Sequence, residues 1–227
     1  MRSRLIILAA VAALACASPA LSGERLDDRT AEAVTASDVS RLQRAAARGD
    51  AQAMYDLGLV YRDGDGAAKD LKKAFAWFRK AALRGNAEAM NEVGCAYSRG
   101  NGVTQDYVAA LDWFRKAADK GDVIAMLNVG VVYDNGEGVA IDDAQAVHWY
   151  RRAAEGGDPT AALYLANMYE RAEGVTLDYE EAARWYRKAA GSDDADERAQ
   201  AEAGLERVDE GQLPIAPPKD ATSLTAA

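Results

Sequence analysis

The chain has 227 residues, a formal net charge of −9, and 49% hydrophobic and 28% charged residues. That balance belongs to a folded domain rather than a low-complexity tract. An acidic chain without a basic cluster excludes a nucleic-acid partner, because phosphate binding rests on Lys and Arg, and it opposes adsorption to anionic lipid.

Arg2 and Arg4 precede an unbroken apolar run from Leu5 to Ala15, and Ala17, Ser18, Ala20 and Ser22 follow. This is the layout of a secretory signal peptide over residues 1–22, with cleavage sites after Ala17, Ala20 or Ser22, the last two favoured. The run is too short for a membrane span, which needs about 20 apolar residues. Cys16 follows Ala13-Leu14-Ala15, a permissive form of a bacterial lipobox without the usual leucine. Cys16 is therefore a candidate lipidation site, which would anchor a chain with no membrane span. With residues 1–22 removed, Cys95 remains alone and cannot form an internal disulfide.

Residues 23–37 read as a flexible polar leader. A capping helix is expected over 38–49, with Ser37 or Asp38 as its cap and Val39, Leu42, Ala45 and Ala46 at helical spacing. Ala45-Ala46 and Gly49 stand in register with Ala81-Ala82 and Gly85. The piece is thus the second half of an incomplete unit, as expected at a solenoid end.

From residue 50 the sequence repeats every 36 residues: Trp77, Trp113, Trp149 and Trp185; Tyr61, Tyr97, Tyr133 and Tyr169; Asp70, Asp106, Asp142 and Asp178. The repeats divide residues 50–193 into units 50–85, 86–121, 122–157 and 158–193. Each unit reads as two helices, A and B. Asp50, Asn86, Asp122 and Asp158 cap the A helices, and the aspartates at 70, 106, 142 and 178 cap the B helices. Glycines at the turn, such as Gly100, supply the positive φ that ends helix A. Gly58, Gly94 and Gly130 lie inside A helices, where glycine costs about 1 kcal/mol against alanine. Their recurrence predicts a place where another helix backbone comes close, and Ala166 in the fourth unit shows that smallness is what matters. A C-terminal capping helix is expected over 194–209. Residues 210–227, with Pro214, Pro217 and Pro218, read as a disordered tail.

The repeated set Gly94, Tyr97, Gly100, Gly102, Val103, Asp106, Ala110, Trp113, Phe114, Ala117, Ala118 and Gly121 resembles the Sel1-like repeat, a relative of the tetratricopeptide repeat. The resemblance covers about 145 residues, with Ala67, Ala166 and Ala172 as minor departures. It implies an all-α superhelical solenoid used as an adaptor surface, in a family with exported bacterial members. It does not choose among their roles.

Catalytic chemistry has little support. His148 is the sole histidine and reads as an exposed residue rather than a general base. Asp63-Gly64-Asp65-Gly66 lacks the later bidentate acid of a calcium loop and reads as a turn. Cys95 stands where Leu59 and Val131 stand in other units, an apolar slot. No cofactor and no metal are expected. The cysteine pairs of penicillin-binding relatives are missing.

Binding is better served. Residues that differ between units recur on the A helices at three- and four-residue steps. Tyr55, Asp56, Leu59, Asn91, Glu92, Cys95, Leu127, Asn128, Val131, Leu163, Tyr164 and Asn167 are expected to line a concave groove that takes a protein or peptide. The leading expectation is an exported, monomeric bacterial scaffold of the cell envelope, periplasmic, secreted or held at the outer membrane by lipid on Cys16. An envelope hydrolase of β-lactamase or peptidoglycan-hydrolase type and a secreted host-interaction factor are the alternatives.

Overall fold

The computed structural model describes Cys16 and residues 34–209. The expected signal peptide (Cys16 apart), most of the expected leader and the expected tail lie outside the described residues. Among the described residues there are ten helices and no strand: α1 (Ala36–Ala47), α2 (Ala51–Asp63), α3 (Leu71–Leu83), α4 (Ala87–Arg99), α5 (Tyr107–Ala118), α6 (Val123–Asn135), α7 (Asp143–Glu155), α8 (Pro159–Arg171), α9 (Tyr179–Ala189) and α10 (Ala195–Asp209). Each helix packs on the next in sequence, so the chain is an all-α solenoid of helix pairs.

Every turn is closed by its capping residue. Asn86, Asp122 and Asp158 accept the N–H of the third residue of α4, α6 and α8, and Asp50 does the same for α2. Asp70, Asp106, Asp142 and Asp178 cap α3, α5, α7 and α9 in the same way. Each such cap contributes about 1 kcal/mol. The caps also donate: Asp106 N–H reaches Tyr97 O at 2.9 Å across the turn within a unit. Asp122 N–H reaches Ala117 O at 3.1 Å across the turn between units.

Helices α2, α4 and α6 end on left-handed Gly64, Gly100 and Gly136. Helix α8 ends on Ala172 at φ 57°, the one non-glycine residue with positive φ among the described residues. A Cβ there costs roughly 1 kcal/mol.

The glycine inside each of the first three A helices faces an aromatic ring, not a helix backbone, which corrects the expectation from sequence. A Cβ built on Gly94 would lie 2.6 Å from the Phe114 ring, and Gly130 meets Tyr150 at 2.5 Å. Gly58 meets Phe78 in the same way. The two helices of a unit close on each other through this contact, and Phe114, Tyr150 and Tyr186 are almost wholly buried. The ring's identity follows the residue opposite. Where helix A carries Asp134 or Glu170, helix B carries Tyr150 or Tyr186, whose hydroxyl donates to that acid. The equivalent positions hold Arg62 with Phe78 and Ser98 with Phe114. On each B helix the tryptophan carries a cation three residues on, with Lys80 Nζ 3.9 Å from the Trp77 ring centre. Lys116, Arg152 and Lys188 stand likewise over Trp113, Trp149 and Trp185.

Both ends are closed by single helices. Helix α1 starts at Ala36, two residues before the expected start, because Thr35 is its cap. Asp38 completes a capping box by accepting Thr35 N–H at 3.1 Å, instead of capping the helix itself. At the other end, α10 lies beside α8 as the next A helix would. Thr160 donates to Glu197 at 2.6 Å, and Arg207 Nε donates to Glu170 at 3.0 Å.

The Glu170 carboxylate is 6% exposed. Burial alone would raise its pKa, but the hydrogen bonds from Arg207 and Tyr186 outweigh burial and hold it below the ordinary 4.5. A depressed carboxylate contributes its full stability above its unfolded value and loses it as pH falls through the folded one. The thermal midpoint should therefore drop on acidification from about pH 5 to about pH 3 more steeply in the wild type than in Glu170→Gln; parallel slopes would remove Glu170 from the acid limb. Ala172→Gly should raise unfolding free energy by about 1 kcal/mol in urea titrations, since it relieves the left-handed Cβ.

Candidate functional site

The variable faces belong to α2, α4, α6 and α8. The structure splits the residues expected to line a groove. Asn91, Glu92, Cys95, Leu127, Asn128, Val131 and Leu163 are buried, none more than 7% exposed. Tyr55, Asp56, Leu59, Tyr164 and Asn167 are half-buried. A continuous open floor is therefore absent at α4 and α6. Successive A helices meet there directly: Asn128 Nδ2 donates to Asn91 Oδ1 at 2.7 Å and lies 4.0 Å from Cys95 Sγ. Leu127 and Val131 belong to that same inter-unit packing.

Access concentrates at the first and fourth units. Tyr55 lies beside Phe78, with ring centres 5.7 Å apart, and Tyr164 lies beside Tyr150 at 5.3 Å. Burial, helped by Glu92 and Glu88 near Tyr55 and by Glu197 and Asp158 near Tyr164, holds both phenols above their ordinary pKa. They stay neutral donors on an acidic face. Burial also raises Asp122 and Asp158. Asn167 is held within the structure: its amide donates to Leu163 O at 2.9 Å, and its oxygen lies 2.9 Å from the Tyr186 hydroxyl.

One cleft, of about 570 Å³, opens between the end of α2, the inner side of α3, and α4. Glu92 and Cys95 line it, from the expected set. Phe75 and Phe78 form an aromatic wall, and Asp63, Asp65 and Arg99 stand among its polar lining. Arg62 crosses it, pairing with Asp63 at 2.7 Å and with Glu92 at 3.0 Å. Burial alone would lower the Arg62 pKa, but those two carboxylates outweigh it and hold the guanidinium above its ordinary value. Cys16 also lines this cleft and packs on the core beside it.

The groove expected from sequence omits Phe75 from helix B, Asp63 at the last position of α2, and Asp65 from the turn. The signal for Phe75 and Asp63 was present in the register. Phe75 is aromatic where the other units hold Leu111, Val147 and Ala183, and Asp63 is acidic where they hold Arg99, Asn135 and Arg171.

Little in the structure supports catalysis. His148 is exposed. Asp63 ends α2, and Gly64 to Gly66 form the turn after it. Among the described residues no group of three or more His, Cys, Asp or Glu could hold a metal ion, and no helix is long and apolar enough to cross a membrane. Burial pushes the Cys95 thiol well above its ordinary pKa, with Cys16 and Glu92 adding to the rise. A thiol kept protonated is a poor nucleophile.

The Sel1 repeat family model matches four times, at residues 51–86, 87–122, 123–158 and 159–194. The chain belongs to the Sel1 repeat family. Its solved relatives include c5321, a protective antigen of uropathogenic Escherichia coli with an SLR fold, at 35% identity and a TM-score of 0.72. That match covers 81% of this chain but only 38% of c5321. A Sel1 repeat protein from Oxalobacter formigenes is 36% identical, with a TM-score of 0.69, over 79% of this chain and 70% of its own. No curated protein matches. Sel1 repeat proteins are protein-interaction scaffolds and are typically non-enzymatic.

Because Glu92 is 8% exposed and paired with Arg62, removing it takes one of two carboxylates from a shielded cation and leaves Asp63 to hold it. Glu92→Ala should cost about 1–2 kcal/mol in urea unfolding, below the about 3–5 kcal/mol of a fully broken buried pair, because Asp63 still holds Arg62 and the guanidinium is partly exposed. The half-exposed Asp56→Ala should cost under about 1 kcal/mol.

Proposed function

We propose that this Sel1 repeat protein is a non-enzymatic, exported bacterial scaffold that binds a protein or peptide in the cell envelope. Its docking surface is the face of the A helices, entered at the first and fourth units. The observation that carries this reading is the contrast within each unit. Positions that build the helix pair repeat four times, while Tyr55, Asp56, Leu59 and Tyr164 break the repeat and remain reachable at their surface. Aromatic anchors beside acids on an otherwise fixed frame favour recognition of a protein chain. Export is supported by the basic start, the apolar run and the small residues of 1–22. The low count of chemistry-bearing residues supports a binding role over hydrolysis. Acidic surroundings favour a ligand with basic groups.

A photo-crosslinking side chain placed at Tyr55 or Tyr164, in cells of the native host, should capture the same protein species. The same probe at exposed His148, on helix B, should not. If the probe at His148 captures that species equally well, or neither probe on the A helices captures any, the A-helix face is not the docking surface. Envelope fractionation of the same cells checks export separately.

A further inference from the structure

Cys16 and Cys95 are the only cysteines of the chain. Both are free, Cys95 buried and Cys16 partly exposed. They line one cleft, and Cys16 packs against the core there. A second observation places the incoming chain at the same spot. Val34 lies against Gly66, whose Cβ would sit 2.8 Å from Val34 O, and Asp65 of that turn lines the cleft. Eighteen residue steps separate Cys16 from Val34. They can span up to about 60 Å, so the leader reaches the cleft without strain.

We propose that Cys16 and Cys95 form an intramolecular disulfide that staples the leader to the cleft between the first and second units. The oxidant is a disulfide of the exchange class, such as an oxidoreductase disulfide or oxidised glutathione, written R–S–S–R. The Cys16 thiolate attacks it and releases one RSH. The Cys95 sulfur, giving its proton to solvent, then attacks the Cys16 sulfur of the mixed disulfide and releases the second RSH. Two thiols are oxidised and one disulfide is reduced. The second step waits on deprotonation of a buried thiol, so closure quickens as pH rises.

The staple changes the reading of the N-terminus. It requires cleavage no later than Ala15, and Ala13-Leu14-Ala15 is itself a small-x-small site. It also requires that Cys16 not be acylated. The oxidising compartment rests on the export reading, whereas the pairing is tested on the purified chain, so the two can fail separately.

The full chain is treated with oxidised glutathione, and protein is purified in parallel from the native envelope with free thiols blocked. The expected result for both is an intact mass lower by two hydrogens and a Cys16–Cys95 crosslinked peptide in a non-reducing digest. Reduction should lower the thermal midpoint by several degrees, about what a disulfide closing a long loop predicts. Cys95→Val keeps the slot apolar, as Val131 does, and should fold yet lose this dependence on reductant. In the glutathione-treated chain, two alkylatable thiols overturn the pairing. In the native protein, a mature chain starting after Cys16, or an acyl mass on Cys16, overturns it.

Discussion

The contact that sets the geometry of each unit is a small residue on helix A against an aromatic ring on helix B. Gly58, Gly94 and Gly130 leave room for Phe78, Phe114 and Tyr150, and the ring fills the space between the helices. A larger side chain would push the ring off its rotamer or the helices apart, and overpacking of this kind costs about 1–3 kcal/mol. Because the contact recurs with a fixed period, each unit hands the next the same surface, and the neighbouring helices stack with little variation.

The fold was legible in the sequence because the repeat shows each structural position four times. Agreement at Asp106 or Trp113 separates frame from surface without any other chain for comparison. Two local points were misread, for definite reasons. Recurrent glycine inside a helix reveals a close approach but not the approaching group; the ring on helix B supplies it. Thr35 was passed over because the first full unit has no threonine in that role, and Asp38 looked like a cap when it is the far half of a capping box.

The binding face was less legible. Periodicity places residues on a side of a helix, but burial depends on how closely the next unit stacks. Asn91 and Asn128 look like surface amides in sequence, yet they bond to each other across the unit boundary. Leu127, Val131 and Leu163 serve packing for the same reason. The cleft was harder still to foresee, since it combines a turn, a B helix and an A helix from two units. Only the departures of Phe75 and Asp63 from the repeat hinted at it.

The two ends hold the halves of one unit. Helix α1 carries the Ala45-Ala46 signature of a B helix, and α10 stands in the place of an A helix, joined through Glu170 and Thr160. The array is cut out of phase with its own period. Each end helix packs on the unit beside it, so a 36-residue copy such as the third unit can be gained or lost without redesigning either end helix. The length of the protein is then an evolutionary variable that its boundary helices leave free.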